Sequence, residues 1–140
     1  MPAEIVGWTM DPNEVLARRF FDEVWTGGRY DVADLLLGSD HRHHISGETL
    51  GGAAAVKELA RSLRSAFPDL AFSIEDTICA DDKVLVRWTA RGTNTGALGG
   101  RPATGRAVEW TGMDLIRVAD GRIVELWGNN DAMGLWDQLD

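Results

Sequence analysis

The chain has one cysteine, Cys79, so no internal disulfide can form. A lone thiol with no His or Lys beside it in sequence carries no sign of activation and suits a reducing cytoplasm. Basic residues are scarce: 14 Lys and Arg stand against 22 Asp and Glu, a net charge of −8. With no basic stripe to offset phosphate, neither nucleic acid nor an anionic membrane is an expected partner. No apolar run approaches the roughly 20 residues of a membrane span. The opening Met1-Pro2-Ala3-Glu4-Ile5 lacks a basic region followed by an apolar one, so no secretory signal is expected. A nucleophilic serine elbow, a phosphate loop and a dinucleotide fingerprint are all missing.

What is present is the composition of a folded protein, 44% apolar and 26% charged over 140 residues. That length suits a single domain over residues 1–140, with residues 1–11 as an N-terminal extension carrying Ile5, Val6 and Trp8. Six tryptophans are many for one core; they either fill it or line a cavity for a flat apolar ligand. Asp11-Pro12 makes a helix start, and Val15, Leu16, Phe20, Phe21, Val24 and Trp25 follow helical spacing up to Gly27-Gly28. A short helix over 31–37 and a longer one over 52–67 follow, separated by a polar loop over 38–51 that holds His41, His43 and His44. After Pro68-Asp69 the period changes to two. Strands are expected over 70–79 and 83–93, then a Gly/Thr/Pro-rich loop, two more strands and a closing helix. Helices followed by a four-stranded antiparallel meander predict an α+β fold, a curved sheet wrapped around the N-terminal helices with a pocket inside.

The last two strands, over 107–131 and joined at Asp120-Gly121, hold the chemistry. Trp110, Gly112, Asp114, Ile116 and Val118 share one face; Glu125, Trp127, Asn129 and Asp131 share another, expected to look inward with it. An acidic residue among apolar neighbours is costly unless paired or used, which singles out Asp114 and Asp131.

Several motifs fall in a fixed order: Phe20-Phe21-Asp22-Glu23-Val24-Trp25, Ala66-Phe67-Pro68-Asp69, Arg87-Trp88, Gly92-Thr93-Asn94-Thr95-Gly96 and Ala103-Thr104-Gly105-Arg106. Asp114 with Arg117, Asp120-Gly121-Arg122-Ile123, Trp127 with Asp131, and Gln138-Leu139 complete the set. Over about residues 12–139 this resembles the SnoaL-like polyketide cyclases, or ester cyclases, of the nuclear-transport-factor-two-like (cystatin-like) superfamily. The resemblance implies a cone of curved antiparallel sheet and helices, open at one end, assembling as a homo-oligomer, dimer or tetramer. It implies intramolecular aldol condensation of a small apolar or aromatic substrate, with no metal or organic cofactor. The family's general acid/base is an aspartate just after the last strand, and Asp131 matches it. Relatives often have a histidine where this chain has Asn94, which cannot shuttle a proton. The superfamily also holds isomerases and epoxide hydrolases, so an epoxide hydrolase or a non-catalytic binder of a small apolar ligand stays open.

The expected site is therefore Asp131, Asp114 and His44 as acid/base groups, with Asn94, Asn129, Arg87, Trp88, Trp110, Met113 and Trp127 binding substrate. Asp131 is either a base with its pKa raised by burial or the N-cap of the last helix. Asp114 either orients substrate or is a buried carboxylate satisfied by Arg87 or a backbone donor. Arg87 faces either the pocket or the outer sheet surface, and His44 lies on a loop over the mouth. The run His41-Arg42-His43-His44 lacks helical ligand spacing and a third carboxylate, so no metal site is expected and His41 and His43 read as solvated. Exposed Leu85 or Val84 on a broad sheet face would suit self-association.

Overall fold

The computed structural model describes residues 10–140; Ile5, Val6 and Trp8 of the expected extension lie outside them. Helix α1 (Pro12–Arg19) starts as its sequence dictates, with Pro at N1 and the Asp11 carboxylate accepting from the Asn13 amide at 2.8 Å. It runs into a π-helical stretch, Phe20–Thr26, whose wider turn buries Phe20, Phe21, Val24 and Trp25 together. Helix α2 (Tyr30–Leu36) follows. Strand β1 (Leu37–Ile45) and strand β2 (Glu48–Gly51) lead into helix α3 (Gly52–Ala66). Then come β3 (Ala71–Ala80), β4 (Lys83–Thr93), β5 (Ala107–Ala119), β6 (Arg122–Asn130) and helix α4 (Ala132–Leu139). No helix among the described residues is long and apolar enough to cross a membrane.

The α+β class holds, and the sheet is larger than the meander expected. Among the described residues six strands lie in the order β2-β1-β6-β5-β4-β3, curved but not closed into a barrel. The two added strands come from residues 38–51, expected as a loop. A tight turn at Ser46-Gly47, both with positive φ, folds this segment into a hairpin. Its first strand pairs in parallel with β6, so the sheet is mixed. Along β1 the burial alternates: His41 and His43 point inward and Arg42 outward, which corrects their reading as solvated.

Register decides which side of the sheet each functional residue occupies. Trp88, Gly112 and Asn130 are cross-strand partners, and Asp114 faces Gly128; these share the concave side with the helices. Arg87, Met113 and Asn129 form the adjacent row, on the convex side. The β5–β6 pairing slips by one residue at Val124, since Arg117 opposes Glu125 but Val118 opposes Ile123. Ile123, Leu126, Gly128 and Asn130 thereby turn inward, and Glu125, Trp127 and Asn129 do not.

Arg64 ties helices to sheet. Its guanidinium donates to the carbonyls of Trp25, Thr26, Pro68 and Leu70, closing the end of the π-helical stretch and of α3 together. Charge-assisted bonds to otherwise orphaned carbonyls are the strong kind. Arg64→Met should therefore lower the unfolding free energy by roughly 2–3 kcal/mol, read from the urea midpoint. Arg64→Lys should recover only part of this, because one ammonium cannot span four acceptors.

Candidate active site

Between the concave face and the helices lies a cavity of about 180 Å³. The π-helical stretch supplies Phe21 and Trp25, α3 supplies Leu59 and Leu63, and α4 supplies Leu135. The sheet supplies Phe72, Trp88, Trp110, Asp114 and Asn130, and His43, Ile45 and Ser46 close the side at the β1 turn. The aromatic walls brace one another edge to face: Phe72 lies 5.0 Å from Trp88, 5.6 Å from Phe21 and 5.9 Å from Trp25, ring centre to ring centre.

Asp114 is the polar centre of this apolar chamber. Among the described residues its one hydrogen bond from a side chain comes from the Trp88 indole, Nε1 to Oδ1 at 3.2 Å. Two glycines make the arrangement possible. A β-carbon at Gly112 would overlap the Trp88 indole, and one at Gly128 would sit 2.9 Å from the carboxylate. Among the described residues no cation pairs with Asp114. Desolvation therefore prevails over the single indole bond and pushes its pKa up to about 7. A carboxyl that titrates there can both take and return a proton at neutral pH.

His43 lies on the same cavity. Burial, with the neighbouring histidines, lowers its pKa to about 3, so it is a neutral imidazole. Its Nδ1 meets His41 Nε2 at 3.3 Å, and the ring of His41 is itself fully buried. Of the two groups, only the Asp114 carboxyl changes charge near neutral pH; the neutral His43 imidazole offers a hydrogen-bonding group to the chamber. Neither His43 nor Asn130 was among the residues expected from sequence. The readable signal for His43 was the alternation His41-in, Arg42-out, His43-in.

Of the residues expected at the site, Asp114, Trp88 and Trp110 line the cavity. The others do not. Asp131 is exposed and serves as the N-cap of α4, its carboxylate accepting from the Gly134 amide at 2.9 Å. Arg87, Met113 and Asn129 lie on the convex side, where with Asp131 they border a shallow groove. A carboxylate–Arg–carboxylate set of Asp114, Arg87 and Asp131, which epoxide hydrolysis would need, is thus split across the sheet. His44 also faces outward. It bonds Glu125 at 2.7 Å and Thr49 at 2.8 Å and stacks on Trp127, while Arg117 donates to the same Glu125 at 3.1 Å. These bonds hold the Glu125 carboxyl below its usual range and pin the β1–β2 hairpin to β6.

Asn94 is buried but spent on its own loop. Its amide donates to the Gly96 carbonyl at 2.8 Å, and its oxygen accepts from the Thr104 amide and hydroxyl, each at 2.9 Å. Val84, one of two residues expected to be exposed, is fully buried, whereas Leu85 is partly exposed on the convex side. The histidine run divides between the two faces. No group of three or more His, Cys, Asp or Glu among the described residues is placed to hold a metal ion.

The family model for the SnoaL-like polyketide cyclases matches residues 15–139. Solved structures agree over nearly the whole chain. A protein from Jannaschia sp. CCS1 assigned as a SnoaL-like polyketide cyclase superposes with a TM-score of 0.86 at 24% identity, over 95% of this chain and 97% of that one. TsrD from Streptomyces laurentii gives 0.83 at 26%, over 94% and 98%. IdmH from Streptomyces antibioticus, assigned as a polyketide cyclase, gives 0.80 at 26%, over 93% and 99%. No curated protein matches the chain in sequence.

Proposed function

The chain belongs to the SnoaL-like polyketide cyclase family, and we propose that it closes a ring in a small enolisable substrate with Asp114 as the proton carrier. The observation that carries this reading is the Asp114 carboxyl, with no paired cation among the described residues, set in an apolar, aromatic-walled chamber whose burial pushes its pKa up to about 7. Ionised Asp114 takes a proton from a carbon α to a carbonyl. The resulting enolate carbon attacks a second carbonyl of the same molecule, forming the new C–C bond. The alkoxide so made takes the proton back from Asp114, which ends the cycle ionised. His43, Ser46 and Asn130 are polar groups of the same chamber that can orient the oxygens, and the step draws on no cofactor. Self-association belongs to the same proposal: Met113 and Ile78, half or more exposed, give the sheet an apolar outer surface for a second copy.

Proton abstraction can be tested before the natural substrate is known. A methyl ketone such as acetophenone, incubated with the protein in D₂O, should lose its α-proton NMR signal faster than in buffer. Asp114→Asn should remove the catalysed part. Asp131→Ala separates the two aspartates: it should cost about 1 kcal/mol of stability through the lost cap and leave the exchange rate as it was. Unchanged exchange in Asp114→Asn would overturn the assignment and leave a ligand-binding fold.

A further inference from the structure

The chamber is small for polyketide chemistry. At about 180 Å³ it barely exceeds the roughly 150 Å³ of an engineered apolar cavity that binds benzene. Pockets for drug-sized ligands begin near 300 Å³. Resting on Asp114 as the proton carrier, we infer that Trp88 is a specificity-determining residue, restricting substrates to chains whose closure leaves a single six-membered ring with a few substituent atoms. Two- and three-ring skeletons are excluded.

Trp88 is the wall that cannot yield. Its indole lies across the β5 backbone at Gly112, a seat that exists only because that residue has no side chain. Its Nε1–H is tethered to Asp114 at 3.2 Å, and Phe72 abuts it edge-on at 5.0 Å. Swinging the ring aside would strand the Asp114 carboxyl without its side-chain donor and undo the packing against Phe72. The same indole therefore touches the reacting carboxyl and fills the space a second ring would need.

A homologous series of methyl ketones tests this: acetophenone, 2-acetylnaphthalene and 2-acetylanthracene carry one reacting group on one, two and three rings. Hydrophobicity alone makes affinity climb with ring count. The wild-type protein should reverse that order by ligand-observed NMR titration, with acetylnaphthalene at least tenfold weaker than acetophenone and acetylanthracene not bound. Trp88→Leu should improve acetylnaphthalene binding at least tenfold. Trp88→Phe, which keeps an aromatic wall if the leucine variant folds poorly, should give a smaller gain. Affinity that rises with ring count in the wild type overturns the inference, as does an unchanged order in the folded variants. The titration measures binding alone, so Asp114→Asn should keep the wild-type order. Lost exchange with an intact order supports both readings, and intact exchange with an intact order condemns only the role of Asp114.

Discussion

Asp114→Asn should be inactive in α-proton exchange and, at pH 8, more stable than the wild type. Burial raises the Asp114 pKa from an ordinary 3.8 to about 7, so the native state holds a proton that the unfolded chain has released. The stability contributed by the protonated carboxyl is complete below about pH 4 and is lost as pH rises through 7. Ionising the group in the native state costs on the order of 4 kcal/mol once pH is well above that value. Asparagine accepts the same Trp88 hydrogen bond and never ionises. The variant's advantage should therefore be nil at pH 4 and reach several kcal/mol at pH 8, a gain of roughly 10 °C in midpoint for a domain of this size. Exchange should fall by at least about a hundredfold, the usual worth of a positioned acid/base. Wild-type exchange should rise with pH through about 7 and then level off. A melting-point difference that does not change with pH would mean that Asp114 is ionised by some partner and is not the group described.

The second large effect belongs to Gly112→Ala. One methyl group there overlaps the Trp88 indole, and the neighbour is a rigid ring rather than the end of a flexible chain. Overpacking of this kind costs about 2–3 kcal/mol. It should also push the ring off Asp114, removing the one hydrogen bond that holds the Asp114 pKa down, so the pH midpoint of exchange should move upward. A double-mutant cycle makes the cause explicit. In a Trp88→Phe background, with no indole to displace, Gly112→Ala should cost at least 1 kcal/mol less. Additive costs in urea titrations would place the strain elsewhere.

Much of this was legible in the chain. The alternation along β5 set Trp110 and Asp114 on one face, because a carboxylate in register with apolar neighbours is conspicuous. Asp131 was legible as the N-cap of α4, one of its two readings; the inward reading borrowed the parity of Glu125, Trp127 and Asn129. The slip at Val124 inverts the facing of every residue after it, and side chains on a strand change sides with each one-residue shift. The hairpin over 37–51 escaped because Gly38, Ser39, Asp40 and three histidines have little strand propensity; pairing with β6 imposes their conformation. With that hairpin unseen, His43 had no face and His44 had no partner. The π-helical turn was equally hidden, since Phe20, Phe21, Val24 and Trp25 satisfy ordinary helical spacing.

The parallel pairing of β1 with β6 sets an order on biosynthesis. His44 and Glu125, which clasp these strands, lie 81 residues apart, with four strands' worth of chain between the two sides of the joint. While the chain is being made, β1 must wait until β6 leaves the ribosome, carrying an unsatisfied edge and two imidazoles not yet sheltered. Closing so long a loop comes late and slowly. The nascent chain is most open to proteases and to mispairing with other chains during that interval, and the chamber is completed only when it ends.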